Sequence, residues 1–337
     1  MKTILCTSPI AAQMIRKAKF ADYIPKIFSD FIFTPMPAVT EGLEFYDAQV
    51  SLFKKINKTG YGYYSSQQYL DNLRKTFEKI GHSQTIELWV EPSLNSHIHC
   101  FHLLTVLAGI PNIEKKLVIN HTSRMVGLMN PEMISQANEQ HRVPVTSELF
   151  KEANIYWNAF RSSNPEKWVE LLNKPSHCFP LFNRIKKIFL LQLPLEPTGL
   201  RLVDRQILKY VSKGPKKVVY VLGNILADEG ESFHILTEGA IWDAIFALAA
   251  APNPAITGLP LEPFNYYSYS DSNNVLRKKC FESEPKLTAH GETLLNGVGN
   301  WMDFNEIDYW WGGTHITKSS YYSFDPTTEK LKEPPQN

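Results

Sequence analysis

The stretch Glu87-Leu-Trp-Val-Glu-Pro-Ser-Leu-Asn-Ser-His-Ile-His-Cys-Phe-His-Leu-Leu104 passes from an apolar run directly into a helical pattern. The run over residues 85–90 predicts a buried strand, and the spacing of apolar residues after Pro92 or Ser93 predicts a helix that ends near residue 107. In an open α/β sheet, the turn between such a strand and helix is where ligands bind, and here it carries Glu91 and Ser93. We therefore take this segment as the organising element of an α/β fold.

Residues 1–140 repeat this alternation of short apolar runs and amphipathic segments, as in a parallel sheet covered by helices. Strands are predicted over residues 3–6, 30–33 and 116–120, in addition to 85–90. Helices are predicted over residues 11–18, 43–56 and 65–80, and Ser8 and Ser65 or Ser66 can cap the first and the third of them. The N-terminal part is expected to be a Rossmann-like α/β domain with a mainly parallel sheet.

The rest of the chain is dominated by helical patterns, and 337 residues are enough for about two domains. Helical segments over residues 202–211, 218–226 and 236–250, followed by a strand and a helix over 286–295, are typical of a winged helix. We predict an α/β domain over residues 1–143, a helical connector over 144–197, a mainly helical, winged-helix-like domain over 198–325 and a flexible tail over 326–337.

Composition limits the classes of function. With 43% apolar residues, 20% charged residues and a net charge of +1, the chain has no global field that would attract nucleic acid or anionic lipid. No window approaches the ~18 uninterrupted apolar residues of a membrane span. The four cysteines lie far apart in the sequence and form no C-x-x-C pair, which predicts free thiols in a reducing cytoplasm.

Polar residues follow each predicted strand, and in a parallel sheet they would converge on one edge. They are Thr7, Ser8, Thr34, Glu91, Ser93, His121 and Thr122. Helices that start behind Ser8 and Ser93 would favour an anionic ligand there. The alternative interpretation is that the hydroxyls cap helices and that the Glu91 carboxylate caps a backbone amide. No G-x-G-x-x-G or G-x-x-x-x-G-K-[ST] follows a strand, so no nucleotide cofactor is predicted.

The histidines of Ser96-His-Ile-His-Cys-Phe-His102 suggest a metal site, but helical geometry argues against most combinations. His97 and His99 are about 200° apart on a helix, whereas His99 and His102, three residues apart, share a face. Two ligands without a third do not define a zinc site. We therefore predict no metal and keep His99 and His102 only as a weak candidate pair.

The charge distribution in the C-terminal half bears on nucleic-acid binding. Nine basic and two acidic residues lie between Arg184 and Lys217, whereas residues 218–276 contain seven acidic residues and no Lys or Arg. The helix that would enter the major groove lies in the acidic part, where phosphates would repel it. A basic face remains a candidate for a phosphate backbone or an acidic protein partner, with a solvated helix surface as the alternative. It comprises Arg201, Arg205, Lys209, Lys213, Lys216 and Lys217.

The order of several short motifs resembles an uncharacterised bacterial domain-of-unknown-function family, number eighteen thirty-five, over most of the chain. The motifs are Leu88-Trp-Val-Glu91 with the helix over 97–104, Val126-Gly-Leu-Met-Asn-Pro131, Arg142-Val-Pro-Val-Thr146, Trp157-Asn-Ala-Phe-Arg161, Pro197-Thr-Gly-Leu200, Asp204-Arg-Gln-Ile-Leu208, Leu287-Thr-Ala-His-Gly291 and residues 301–313 ending in Trp311-Gly-Gly313. The resemblance implies an N-terminal α/β domain and a helical C-terminal part, without an established activity. Family members usually carry a polar, often His-Asp-containing stretch after the position of Glu91, where this chain has Pro92 and Ser93.

Three functions follow as expectations. The first is binding of a small anionic ligand by the α/β domain, coupled to binding of a protein partner by the C-terminal part. The second is an enzyme with Glu91 as general base or metal ligand. The third is a DNA-binding transcriptional regulator that uses the basic face of residues 201–217.

Overall fold

The computed structural model describes residues 1–6, 8–19, 21–25, 27, 31–37, 42–56, 66–140, 142–227, 236–262 and 271–333. The chain divides into two compact units: unit 1 comprises Met1–Lys186 with Gly312–Thr314, and unit 2 comprises Lys187–Trp311 with His315–Asn337. The division at Lys186 lies more than forty residues after the predicted boundary near residue 143. Helices between these two positions are part of unit 1 because their aromatic side chains pack on the helix that follows Glu91.

Unit 1 is an α/β structure built on a four-stranded sheet with strands β1 (Lys2–Leu5), β2 (Thr85–Val90), β3 (Leu117–His121) and β4 (Arg142–Pro144). The strands lie in the order β1-β2-β3-β4, with β1, β2 and β3 parallel and β4 antiparallel to β3. Strands β1, β2 and β3 agree with the predicted positions within one or two residues. The edge strand β4 was not predicted, since its three residues carry no periodic pattern.

Three helices of unit 1 begin after the serines that were predicted from the sequence as caps. Ser8, Ser66 and Ser93 each accept a hydrogen bond from a backbone amide in the first turn of the helix that follows them. The helices are α1 (Pro9–Ala18), α2 (Glu44–Ile56), α3 (Gln67–Gly81), α4 (Leu94–Leu107), α5 (Pro131–Gln140), α6 (Ser147–Phe160) and α7 (Glu166–Val169), and α8 (Phe182–Leu190) contains the division between the units.

The predicted strand over residues 30–33 is wrong for the described residues 31–33, which lie in a turn region and pair with no strand. Phe31 and Ile32 are fully buried. The Phe31 ring packs instead against His102 of α4 and Trp157 of α6, at centroid distances of 5.1 and 5.6 Å. The apolar run therefore correctly indicates that these residues are buried, but Phe31 is buried against helices and not in a strand of the sheet.

A buried carboxylate joins three strands of the sheet. Glu87 of β2 is fully buried, and its Oε1 lies 2.9 Å from Lys2 Nζ on β1 and 2.8 Å from Arg142 Nη2 on β4. Its Oε2 accepts a hydrogen bond from Trp89 Nε1 at 3.1 Å. Because a buried charge is tolerated only when it is paired, these contacts fix the register of β4 against the other strands.

The described part of unit 2 is mainly helical. Its helices are α9 (Leu202–Val211), α10 (Val218–Ala227), α11 (Glu238–Ala250), α12 (Asp271–Glu282) and α13 (Ala289–Leu295). Short strands form pairs: β5 (Ile256–Thr257) with β6 (Lys286–Leu287), β7 (Asp308–Trp311) with β8 (Thr314–Thr317), and β9 (Ser323–Asp325) with β10 (Lys330–Lys332). The segment predicted as a flexible tail therefore contains strand β10, which pairs antiparallel with β9.

Candidate ligand-binding site

The serines at the strand ends are engaged as helix caps. Ser8 Oγ accepts from the amide of Ala11 at 3.3 Å, and Ser93 Oγ accepts from the amide of Ser96 at 3.1 Å. The hydroxyl of Ser96 in turn accepts from the amide of Glu91 at 2.8 Å. These contacts agree with the capping interpretation of the two serines.

Glu91 is bound to the loop that follows β3. Its side chain is buried, and Oε1 accepts a short hydrogen bond of 2.6 Å from the amide of Val126, which begins a 3-10 turn over Val126–Leu128. Burial raises the pKa of the Cys6 thiol, and the charge of Glu91 contributes to the rise, which places the end of β1 near the same carboxylate. Glu91 therefore joins the ends of neighbouring strands through a backbone amide.

Of the remaining strand-end residues, Thr122 lies beside the end of β2, where its amide donates to the carbonyl of Val90 at 2.9 Å. Thr122 is buried and its hydroxyl donates to the carbonyl of Arg124 at 2.8 Å, while the His121 ring lies 6.0 Å from that of Phe179. Thr34 is buried in the turn region that replaces the predicted strand. Thr7 lies outside the described residues. The parallel strands β1, β2 and β3 lie in sequence order, so they show no reversal of order such as opens a ligand crevice in doubly wound sheets.

The three histidines of α4 are buried and differ in their partners. His97 Nδ1 lies 2.8 Å from the carbonyl oxygen of Ser93, and His102 Nε2 lies 3.0 Å from the hydroxyl of Tyr46. Neither ring nitrogen of His99 has a hydrogen-bond partner in the part of the chain that the structure describes. Burial lowers the pKa of His97 to about 4 and that of His99 to about 3, so both rings are neutral at pH 7.

His99 and His102 are close enough to interact. Burial lowers the pKa of His102 well below its ordinary value, and His99 and then Arg161 contribute further. Within the described ranges, no three His, Cys, Asp or Glu side chains are grouped so as to hold a metal ion. Both rings pack against aromatic side chains: His99 against Phe31, and His102 against Phe31 and Trp157.

A cavity of about 300 Å³ opens beside His102 in unit 1. Its apolar wall is formed by Phe45, His102 and Trp157, whose rings lie 4.5 to 5.5 Å apart between centroids. Polar and charged side chains of α6 complete the lining. The residues are Gly42, Phe45, His102, Leu104, Thr105, Ala108, Phe150, Lys151, Asn154, Trp157 and Arg161.

The polar side of the cavity is a row of side chains along α6. Arg161 donates to Asn158 Oδ1 from Nε at 3.0 Å and from Nη2 at 2.7 Å, and Asn158 Nδ2 donates to Asn154 Oδ1 at 3.0 Å. These hydrogen bonds orient the Arg161 guanidinium. They use the Oδ1 atom of Asn154 as an acceptor and do not involve its Nδ2 group, which can donate. Lys151, one turn before Asn154, is exposed and adds a second positive charge.

This cavity was not predicted from the sequence, although the sequence contains a signal for it. Lys151, Asn154, Trp157 and Arg161 are spaced by three, three and four residues, which places them on one face of a helix. In the sequence, a helix face with these polar, cationic and aromatic residues looks like an ordinary solvated surface. The residues that close the cavity opposite this face come from α2 and α4. The cavity therefore becomes visible only when the three helices are assembled.

The basic residues of unit 2 fall into two groups. Arg201 is half-buried and forms a two-bond ion pair with Asp204, with both contacts at 2.8 Å, and lies over the Tyr309 ring at 4.8 Å. The other five are exposed on α9 and on the connection to α10: Arg205, Lys209, Lys213, Lys216 and Lys217. Most side chains of α11 are buried, and its sequence contains no Lys or Arg.

The described residues include no helix with both the length and the apolar character needed to cross a lipid bilayer. A scan against protein-family models returned no match, and no curated protein matched the chain.

Proposed function

We propose that unit 1 binds a small anionic ligand in the cavity lined by α2, α4 and α6. The observation that carries the proposal is a concave site of about 300 Å³ that joins an aromatic wall to the cations Lys151 and Arg161. This volume lies at the lower end of the range of about 300–1,000 Å³ for small-molecule sites. The ligand is therefore small, and its charge is negative because two cations face it.

The ligand class, a small anion, is the one expected from the sequence. The proposed site is the cavity lined by α2, α4 and α6 instead of the ends of the strands. The strand-end residues Ser8, Ser93 and Glu91 accept hydrogen bonds from backbone amides, as caps do. The cavity offers groups that suit an anion better. A guanidinium held by Asn158 is pre-oriented, and charge-assisted hydrogen bonds are about twice as strong as neutral ones.

Isothermal titration with a panel of small anions, including phosphate, acetate and benzoate, tests the proposal. Lys151→Gln combined with Arg161→Gln should raise the Kd of any bound anion by about tenfold or more, since each charged hydrogen bond contributes about 1.5–3 kcal/mol. Lys167→Gln is the matched control, because Lys167 is an exposed cation of the same unit outside the cavity. Absence of binding by every anion to folded protein would overturn the proposal.

Unit 2 supplies the second half of the proposed function, binding of a protein partner. Five exposed cations on α9 and before α10 suit an acidic partner surface. We further infer a Rossmann-like arrangement for the parallel strands of unit 1 and a winged-helix-like one for α9, α10, α11, β5, β6 and α13. The family resemblance and a cytoplasmic location, which four free thiols favour, belong to the same proposal.

A DNA-binding regulator is the competing hypothesis, and the exposed cations of α9 are the observation that favours it. The helix that would read the major groove, α11, presents Glu238 and Asp243 on its exposed face. We therefore expect duplex DNA to bind only at low salt and without sequence preference, and to be released at physiological salt. Fluorescence anisotropy across a salt series measures this, and sequence-specific binding at physiological salt would favour the regulator.

A further inference from the structure

Helix α10 has an apolar side that the described residues of the chain leave exposed. None of its ten residues carries a charge. Its buried side comprises Val218, Val221, Leu222 and Ile225. Its exposed side comprises Val219, Tyr220, Gly223, Asn224 and Ala227, with Val219 at 41% and Tyr220 at 60% exposure. The solvent side of a surface helix normally carries charged and polar residues, so this side is suited to a contact with another molecule.

Gly223 lies in the middle of the exposed side of α10. A glycine inside a helix destabilises it relative to alanine. A Cβ atom at Gly223 would meet no atom of the described residues within 4 Å, whereas at Gly291 it would lie 2.0 Å from the carbonyl oxygen of Ala255. Contacts within the described part of the chain therefore explain Gly291 but not Gly223. Close approach of a second helix backbone would explain Gly223, because glycine has no side chain to hold the two apart.

The charges before and after α10 have opposite signs. Lys216 and Lys217 directly precede the helix and are exposed, at the end where the helix dipole disfavours cations. In the sequence, Asp228 and Glu229 directly follow it. If two copies of α10 lie antiparallel, the lysines of each copy approach the negative end of the other helix. The charge pattern is thus complementary to itself in the antiparallel arrangement, whereas a parallel pair would bring the lysines of both copies together.

The spacing of the exposed residues fits the same arrangement. Val219 lies four residues before Gly223, and Ala227 lies four residues after it. A two-fold axis at Gly223 therefore places the valine of each copy opposite the alanine of the other. Two-fold interfaces use the same patch on both copies, and here the larger side chain faces the smaller one.

We propose that two copies of the chain associate through the exposed sides of their α10 helices, antiparallel and with Gly223 at the crossing point. Association of this kind goes beyond the proposed function and does not depend on anion binding by unit 1. A helix of ten residues is about 15 Å long, so this contact is smaller than a standard interface. The dimer is therefore expected to be weak and to depend on concentration.

Sedimentation velocity of the full chain over a wide range of concentrations tests the proposal, and a monomer–dimer equilibrium is the expected result. Gly223→Gln should raise the Kd of the dimer by about tenfold or more, because a side chain at the crossing point separates the helices. Its melting temperature should not fall, since glutamine favours a helix more than glycine does. Ala289→Gln, at an exposed small residue of α13, is the control and should leave the Kd unchanged.

Charge reversal is a second test of the antiparallel arrangement. Lys216→Glu combined with Lys217→Glu should raise the Kd of the dimer by about tenfold, because each copy then presents acidic residues to the negative end of the other helix. A high salt concentration should reduce this difference, since both lysines are exposed.

A cysteine at the crossing point locates the contact. Helix axes at a close crossing are about 8–10 Å apart, which brings the two Cα atoms within reach of a disulfide. Gly223→Cys should therefore form a disulfide between two copies when glutathione disulfide is added as the oxidant. Ala289→Cys and the unmodified chain, which has four cysteines of its own, are the controls and should not be cross-linked.

Two results would overturn the proposal. One is a chain that stays monomeric at every concentration. The other is a dimer whose Kd is the same in Gly223→Gln and in the unmodified protein, because such a dimer uses another surface.

Discussion

Glu91 illustrates how a residue that attracts a functional interpretation can be used by the fold. It follows the central strand, in the position where α/β enzymes place catalytic groups, yet its Oε1 accepts from the amide of Val126 at 2.6 Å. Val126 itself is fully buried, so its N–H requires an acceptor inside the protein. At this position the requirement of the backbone explains the carboxylate without any reaction.

We expect Glu91→Ala to lower the free energy of unfolding by about 1–3 kcal/mol, because it leaves the buried Val126 N–H without an acceptor. Glu91→Gln should cost less, since the amide oxygen can still accept. Urea denaturation at neutral pH measures both values. Glu114→Ala, at an exposed glutamate in the 3-10 turn Ile113–Lys115, is the control and should be nearly neutral. An unchanged stability of Glu91→Ala would contradict the assignment of Glu91 as the acceptor that the Val126 N–H requires.

At the scale of elements, the sequence predicts best where local chemistry decides. Ser8, Ser66 and Ser93 define the starts of α1, α3 and α4, because a serine that caps a helix acts within three residues. The prediction fails for residues 31–33, since Phe31 meets Trp157 more than 120 residues away in the sequence. The cavity could not be predicted for the same reason: Phe45, His102 and Trp157 belong to three helices that no local pattern brings together.

The buried histidines of α4 make the stability of the protein depend on pH in the acidic range. Its histidines are neutral in the folded protein, with pKa values of about 4 for His97 and about 3 for His99 and a pKa well below the ordinary value for His102. In the unfolded chain they take up protons below about pH 6.5. Above that pH the histidines are neutral in both states, and their contribution to the free energy of unfolding is fully present. As the pH falls toward 4, protons bind to the unfolded chain but not to the buried rings, and this contribution is lost.

Each such histidine makes the free energy of unfolding fall by about 1.4 kcal/mol per pH unit in this window. We expect His99→Leu to reduce the pH slope by about that amount between pH 6 and 4, as measured by urea denaturation at several pH values. Phe101→Leu on the same helix should lower stability by an amount that does not depend on pH. A slope unchanged in His99→Leu would contradict the assignment of His99 as a buried neutral ring.

At the scale of the whole chain, two distant motifs meet in unit 1. The segment Gly312–Thr314 contacts the end of α6: the amide of Gly313 donates to Phe160 O at 2.9 Å, and the hydroxyl of Thr314 donates to Ser162 O at 3.0 Å. A Cβ atom at Gly313 would lie 1.9 Å from the carbonyl oxygen of Arg161. The glycines of Trp311-Gly-Gly313 are therefore explained by close backbone approach to Trp157-Asn-Ala-Phe-Arg161.

Gly313→Ala should lower the free energy of unfolding by about 1–3 kcal/mol, because the obstructing atoms belong to backbone and cannot rotate away. Gly109→Ala is the control, since the nearest atom to its added Cβ, the carbonyl oxygen of Val106, is 3.6 Å away. Guanidinium denaturation of the two variants provides the comparison. Equal midpoints would show that this segment contributes little to unit 1.

The position of Gly312–Thr314 in the chain has a consequence during synthesis. About 125 residues separate Lys186, where the continuous part of unit 1 ends, from Gly312. At about 5–20 residues per second, a ribosome takes about 6–25 s to add them. For that time the nascent unit 1 has the carbonyl groups of Phe160 and Ser162 without these two partners, so unit 1 completes its folding only after residues 312–314 have been translated.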